Sequence, residues 1–244
     1  MHRYKITIEY DGSNFAGWQK QINACSVQSN IEEAIYSFSK EQVTIYAAGR
    51  TDAGVHATGQ VAHFELSRKW DTYIIERALN HFVKPHISII KCEEVDNDFH
   101  ARFSAKERWY KYIIINRNAH LALMQNRAWH LRDELDIELM QKAANFLLGK
   151  HDFTSFRTIM CQAKSPIRTI NEIKIERVDE YINIYLKAPS FLHHMVRNIV
   201  GTLKFVGNGK WTPEYVEHIL KACDRSIAGP TAPACGLYLT NVIY

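Results

Sequence analysis

Short segments with a two-residue hydrophobic period alternate along this chain with segments of helical period, and this alternation most constrains the fold. In the first segment, every second side chain is apolar or aromatic and would face the core of a sheet: Tyr4, Ile6, Ile8 and Tyr10. The next segment has apolar side chains at helical spacing: Val27, Ile31, Ala34, Ile35 and Phe38. The pattern continues to a final predicted strand over residues 237–243. The sequence therefore predicts an α/β protein of the α+β type.

Length and composition exclude several other classes of protein. With 244 residues, 46% of them hydrophobic and 23% charged, the chain has the make-up of one or two soluble globular domains. No uncharged apolar run approaches the roughly 18 residues of a membrane span. The N-terminus leads directly into a strand pattern and does not resemble a signal peptide. Five scattered cysteines without a Cys-x-x-Cys pair predict reduced thiols in a cytoplasmic protein.

The hydrophobic pattern breaks around residues 96–104, so we predict two domains, 1–104 and 105–244. Charge is divided unevenly between them. The first has 11 basic and 13 acidic residues, a net charge of −2, whereas the second has 19 and 13, a net charge of +6. A mildly basic domain is compatible with a polyanionic partner, although many proteins without such a partner share this imbalance.

One basic segment of the second half supports a polyanionic partner more specifically. Between Lys150 and Arg168 four basic residues occur with a single acid, Asp152. Lys164 and Arg168 are the two that we predict to contact phosphate groups of a substrate. Considered alone, however, this run is more typical of a solvated basic loop.

The segment Gly49–His56 is the most unusual in the sequence. Two glycines flank Arg50 and Asp52 in a predicted loop between strands, and glycine allows another backbone or a ligand to come close. A neighbouring cation favours the ionised form of a carboxylate, so Arg50 can keep Asp52 charged as a nucleophile or base. Spacing alone favours a hairpin whose aspartate accepts backbone hydrogen bonds.

Arg108–Tyr112 alternates cations with aromatic residues, which suits base stacking and phosphate contact but also an ordinary amphipathic strand. No metal site is predicted. His193 and His194 are adjacent on a predicted helix and would point apart, and His56 and His63 lack a cysteine or carboxylate at ligand spacing.

Several of these segments together resemble the TruA family of tRNA pseudouridine synthases. The matching motifs occur in the family's order and span residues 4–244: residues 10–19, 49–56, 100–105, 108–112, 152–156, 191–201 and 234–239. The resemblance implies two similar domains, each a mainly antiparallel or mixed sheet flanked by helices, with a basic active-site cleft between them. It also implies a homodimeric isomerase that needs no cofactor or metal and no membrane. Its substrate would be tRNA, with uridines 38, 39 and 40 of the anticodon stem-loop converted to pseudouridine.

The resemblance also implies roles for particular residues. Asp52 would be the catalytic aspartate, acting as nucleophile, and Arg197 its arginine partner. Arg50 would position the aspartate or the flipped nucleotide, and Tyr110 would stack on the target base. Trp109 departs from the arginine or tyrosine expected at that position in many relatives.

The chemistry explains why such a site needs a carboxylate. Breaking the C1′–N1 bond develops positive charge on the sugar, which Asp52 can stabilise, trap covalently or relieve by removing a sugar proton. These three roles remain open from sequence. Two other functions also remain possible: a non-catalytic tRNA-binding module, and an enzyme that uses the Gly49–His56 loop to hold a small phosphorylated substrate.

Overall fold

A computed structural model describes the whole chain, Met1–Tyr244, as a mixed α/β protein, which confirms the predicted fold class. It contains five α-helices: α1 (Val27–Ser39), α2 (Thr72–Phe82), α3 (Ile137–Asn145), α4 (Met195–Gly207) and α5 (Pro213–Ala222). It also contains eleven strands: β1 (His2–Tyr10), β2 (Tyr46–Ala47), β3 (His56–Leu66), β4 (Ile87–Val95), β5 (Glu107–Asn116), β6 (Trp129–Leu131), β7 (Gly149–Asp152), β8 (Ile167–Ile170), β9 (Glu172–Val178), β10 (Tyr181–Ala188) and β11 (Leu237–Ile243). None of the helices combines the length and apolarity needed to cross a lipid bilayer.

The chain divides into two compact units. Unit 1 comprises Met1–Lys106 and Tyr238–Tyr244, and unit 2 comprises Glu107–Leu237. Tyr238–Tyr244, which the sequence grouped with the second domain, thus packs with the first unit, because β11 runs parallel to β3 with Tyr238 opposite His56. Which strands pair depends on contacts between distant segments, and the local hydrophobic pattern of a strand does not identify its partner.

In unit 1, the strand order is β4–β1–β3–β11, with β2 added along β3. β1 is antiparallel to both β3 and β4. The four side chains predicted to share the inner face of β1 are all buried: Tyr4, Ile6, Ile8 and Tyr10. Helices α1 and α2 pack together, and α2 also packs on β4. Ser26 caps α1 by accepting the Ser29 N–H, and the Ser29 hydroxyl accepts the Ser26 N–H in return.

Unit 2 has an antiparallel sheet of β5, β10 and β9, with β6 parallel to β5, and a separate hairpin of β7 and β8. Helix α4 is the most buried helix of unit 2, with ten buried residues. The sequence predicted this helix from Phe191, but it begins at Met195. His194 adopts a left-handed conformation with φ of 62°, which prevents an earlier start.

Candidate active site

The Gly49–His56 loop of unit 1 joins β2 to β3 and is held by the segment that follows β1. The Trp18 N–H donates to the Thr51 carbonyl at 3.0 Å. The hydroxyls of Tyr10 and Thr51 form a buried hydrogen bond at 2.8 Å. Within the loop, the Val55 N–H donates to the Asp52 carbonyl at 3.1 Å. Residues 10–19 and the Gly49–His56 loop, which are separate motifs in the sequence, therefore form one structural assembly.

Gly17 provides the closest support for this loop. Its φ of 100° is one that side-chain-bearing residues rarely adopt. A Cβ at this position would lie 2.6 Å from the Thr51 carbonyl oxygen and 3.1 Å from the Asp52 carbonyl carbon. Only glycine lets the two backbones come this close. Gly17 therefore helps to fix the position from which the Asp52 side chain projects.

Arg50 and Asp52 lie in this loop as the sequence predicted, two residues apart. The Arg50 side chain is exposed, whereas Asp52 is half-buried. Next to them, His56 is buried, and its Nδ1 accepts the Gly12 N–H at 3.0 Å. The His56 ring stacks on Tyr238 at 4.7 Å between centroids. His56 thus anchors the end of the loop.

His63 likewise has a structural role that sequence reasoning did not identify. Its Nδ1 accepts the Ala101 N–H at 3.1 Å inside unit 1. Burial lowers the pKa of His63 from 6.5 to about 4, and the positive charges near it, His100 and Arg3, act in the same direction. His63 is therefore a neutral acceptor at physiological pH.

Tyr110 of unit 2 lies on β5, opposite Leu186 of β10. Its half-buried ring makes an edge-to-face contact with Phe191 at 5.1 Å, which fixes the orientation of the ring. Trp109 points to the other side of the strand, as side chains alternate. There it lies 4.4 Å from the Lys187 ammonium. The departure from the family pattern at Trp109 therefore does not alter the face that carries Tyr110.

Arg197 lies on the first turn of α4 and is tied to the segment before β11. Its Nε donates to the Ala232 carbonyl at 2.7 Å, and the Ala232 N–H donates to the Arg197 carbonyl at 3.1 Å. The segment before β11 can approach α4 closely because Gly201 of that helix has no side chain. A Cβ at Gly201 would lie 1.7 Å from the Pro230 carbonyl oxygen.

A buried amide, Asn198, connects this segment to the rest of unit 2. Its Oδ1 accepts hydrogen bonds from the Thr231 hydroxyl at 2.7 Å and from an Arg225 guanidinium nitrogen at 3.1 Å. Its Nδ2 donates to the Phe156 carbonyl at 2.8 Å. Sequence reasoning missed this network. The available signal was an asparagine beside Arg197 in an otherwise apolar helix.

Arg168 and Lys164 belong to the basic segment of unit 2. Lys164 is exposed, and Arg168 is half-buried on β8. One guanidinium nitrogen of Arg168 donates to the carbonyls of Ser165 and Ile167, and its Nε is buried without a hydrogen-bond partner. Burial lowers the pKa of Arg168 from its usual value. A half-buried guanidinium bonded only to neutral carbonyls is suited to receive an anion.

Two curated proteins match this chain along almost its entire length. A family model described as tRNA pseudouridine synthase matches residues 6–104 and 143–244. The chain is 54% identical over 244 residues to tRNA pseudouridine synthase A from Ehrlichia canis, covering 99% of this chain and all of the relative. It is 52% identical over 245 residues to tRNA pseudouridine synthase A from Rhodospirillum centenum, covering all of both chains. The matched ranges include Asp52 and Arg197, whereas Tyr110 lies between them.

Proposed function

This chain belongs to the TruA family of tRNA pseudouridine synthases, and we propose that it isomerises uridine in tRNA to pseudouridine at positions 38, 39 and 40 of the anticodon stem-loop. The observation that carries the proposal is the Gly49–His56 loop. It presents Asp52 from a backbone that Trp18 and Gly17 hold in place. A binding module has no need of a carboxylate fixed in this way, since a carboxylate repels a polyanion.

We propose Asp52 as the carboxylate that acts on the sugar. The reaction breaks the C1′–N1 bond, turns the base and joins C1′ to C5; the hydrogen on C5 leaves as a proton, and the released N1 takes up a proton, so that the composition is unchanged. Positive charge develops at the sugar when the first bond breaks, and a fixed carboxylate stabilises it. We propose Arg197 as the arginine partner of Asp52, and Arg50 as the residue that positions the aspartate or the flipped nucleotide, the roles that the family resemblance implies.

Tyr110 is the residue that we propose to stack on the flipped base. Taking a base out of a stem costs a few kcal/mol, and stacking on an aromatic ring returns about 1–3 kcal/mol. The edge-to-face contact of Tyr110 with Phe191 supports this role, because it fixes the plane of the ring before the base arrives. We also propose that the protein works in the cytoplasm as a homodimer, which the family resemblance implies.

Arg168 and Lys164 are the residues that we propose to bind RNA phosphates. The half-buried guanidinium of Arg168 supports this assignment, because its bonds to the Ser165 and Ile167 carbonyls fix its position. Each lost phosphate contact should weaken tRNA binding and reduce the slope of log K against log salt by roughly one. We therefore expect a shallower salt dependence for both Arg168→Ala and Lys164→Ala, measured by filter binding with a tRNA transcript.

Tritium release from tRNA labelled at uridine C5 tests the activity itself, because joining C1′ to C5 expels that hydrogen. The wild type should release tritium, and Asp52→Asn should not, although it should still bind tRNA. Asp98→Asn, which changes an exposed aspartate of the same unit, is the matched control and should behave as the wild type. Release by Asp52→Asn above about 1% of the wild-type rate would refute the role of Asp52. Binding without release by the wild type would instead favour a non-catalytic tRNA-binding module.

A further inference from the structure

A tight turn in unit 2 places two large apolar side chains in solvent. The Cys161 N–H donates to the Thr158 carbonyl at 3.0 Å, and Ile159 and Met160 occupy the two central positions. Ile159 is 95% exposed and Met160 is 79% exposed. Central turn positions are normally occupied by glycine, asparagine, aspartate or proline, which suit both the backbone and water. The turn therefore presents apolar surface that neither its geometry nor the core of the unit requires.

This turn is anchored to the segment that precedes α4. The Thr158 N–H donates to the His193 carbonyl at 3.2 Å, just before α4. Phe156 is fully buried, and its carbonyl accepts the Asn198 amide. The exposed side chains thus project from an anchored segment.

The charge around the turn indicates the partner. From residue 153 to residue 171 the sequence has three basic residues, Arg157, Lys164 and Arg168, and no acidic one. A symmetric contact with a second copy centred on this turn would bring each set of cations against its own counterpart, which is unfavourable. An apolar turn within a sequence segment that carries cations and no acid instead fits a nucleic acid, whose phosphates would meet the cations while its bases meet the apolar side chains.

We propose that Ile159 and Met160 form an apolar contact with bases of the RNA substrate, a contact that favours the unstacked state of the region around the target uridine. This inference rests on the proposed function, since it concerns the same substrate. Apolar side chains that insert between bases offset the loss of stacking, as they do in proteins that kink nucleic acids. The contact is also distinct from the phosphate contacts of Arg168 and Lys164, because an apolar side chain releases no counterions.

The double variant Ile159→Ser/Met160→Ser tests the proposal. We expect kcat/KM for tritium release to fall about tenfold or more, the scale of one lost base contact, with an unchanged salt slope. Leu123→Ser is the matched control, because Leu123 is another apolar loop residue of unit 2 with 89% exposure. It should leave kcat/KM unchanged. Ile159→Leu/Met160→Leu should restore most of the activity, since it keeps the apolar surface.

A fluorescent probe separates this contact from a general effect on folding. A 2-aminopurine placed next to the target uridine should brighten when the wild type unstacks the RNA, and should brighten less with the serine variant at saturating protein. Equal brightening and equal kcat/KM for both proteins would overturn the proposal. A serine variant that instead changes the oligomeric state in sedimentation would also overturn it, because the turn would then contact another copy. Absence of tritium release by the wild type would count against the proposed function, and the fluorescence comparison would still test the contact.

Discussion

Gly17→Ala should affect both the stability of unit 1 and the reaction, and the two effects can be separated. The φ of 100° costs a side-chain-bearing residue about 1–3 kcal/mol. The new methyl group would lie 2.6 Å from the Thr51 carbonyl oxygen, an overlap that costs a further ~1–3 kcal/mol as the backbone shifts. We therefore expect a destabilisation of about 2–6 kcal/mol. For a domain of 150–250 residues, that corresponds to a fall in Tm of roughly 4–24 °C.

The shift should also displace Asp52, because the same methyl group would contact the Asp52 backbone at 3.1 Å. A displacement of about 1 Å at a reacting group can lower the rate about 100-fold. The assay is tritium release at a temperature where the variant remains folded by circular dichroism. Under that condition kcat should fall by at least tenfold.

Two other glycines provide controls that separate the cost of backbone strain from the cost of steric overlap. Gly209 has a φ of 74° but open space within 4 Å of a Cβ, so Gly209→Ala should lose stability through backbone strain alone. For Gly59, a Cβ would lie 2.1 Å from the Thr240 carbonyl oxygen without an unusual φ, so Gly59→Ala isolates the overlap. Turnover by folded Gly17→Ala within twofold of the wild type would refute the idea that this packing positions Asp52. An equal loss of kcat in Gly209→Ala would refute it as well.

Three further predictions concern other contacts. Tyr10→Phe should destabilise unit 1 by about 1–3 kcal/mol in urea unfolding, because the buried Thr51 hydroxyl loses its partner; an unchanged urea midpoint would contradict this. Thr231→Val should lower kcat several-fold with little change in KM, since the segment that holds Arg197 loses its tie to the buried amide of α4, and Thr231→Ser should restore it. The pKa of His63 is lowered from 6.5 to about 4 on folding. Between pH 6.5 and 4, His63 therefore binds a proton more readily in the unfolded chain than in the folded one. The free energy of unfolding should consequently decline by roughly 3 kcal/mol as the pH falls from 6.5 to 4. His63→Asn should flatten that decline in urea titrations at several pH values.

Local periodicity was sufficient to predict elements whose sequence pattern matches their burial. The alternation of β1 and the Pro213 start of α5 are both present in the structure. The start of α4 was placed too early, because the left-handed conformation of His194 depends on its surroundings and carries no composition signal. The pairing of β11 with β3 was equally inaccessible, since it joins segments more than 170 residues apart.

The candidate site likewise contains some residues that the sequence identifies and others that only the folded structure identifies. The residues of the Gly49–His56 loop stand out in the sequence because of their type and spacing. The residues that hold this loop do not stand out, because Tyr10 and Gly17 act through contacts that only the folded chain creates. Asn198 is similar: an asparagine in an apolar helix signals a buried hydrogen bond, but its partners Thr231 and Arg225 come from a different segment. The roles assigned to the site residues stay predictions until the variants are measured.

The pairing of β11 with β3 also has a consequence for the order in which the protein matures. Unit 2 is continuous in sequence and can fold before the chain is finished, whereas unit 1 is completed only by Tyr238–Tyr244, which are synthesised after unit 2. Until then β3 keeps an unpaired edge next to the Asp52 loop, and His56 lacks the stacking of Tyr238. The Asp52 loop is therefore among the last parts of the molecule to obtain all of its supporting contacts.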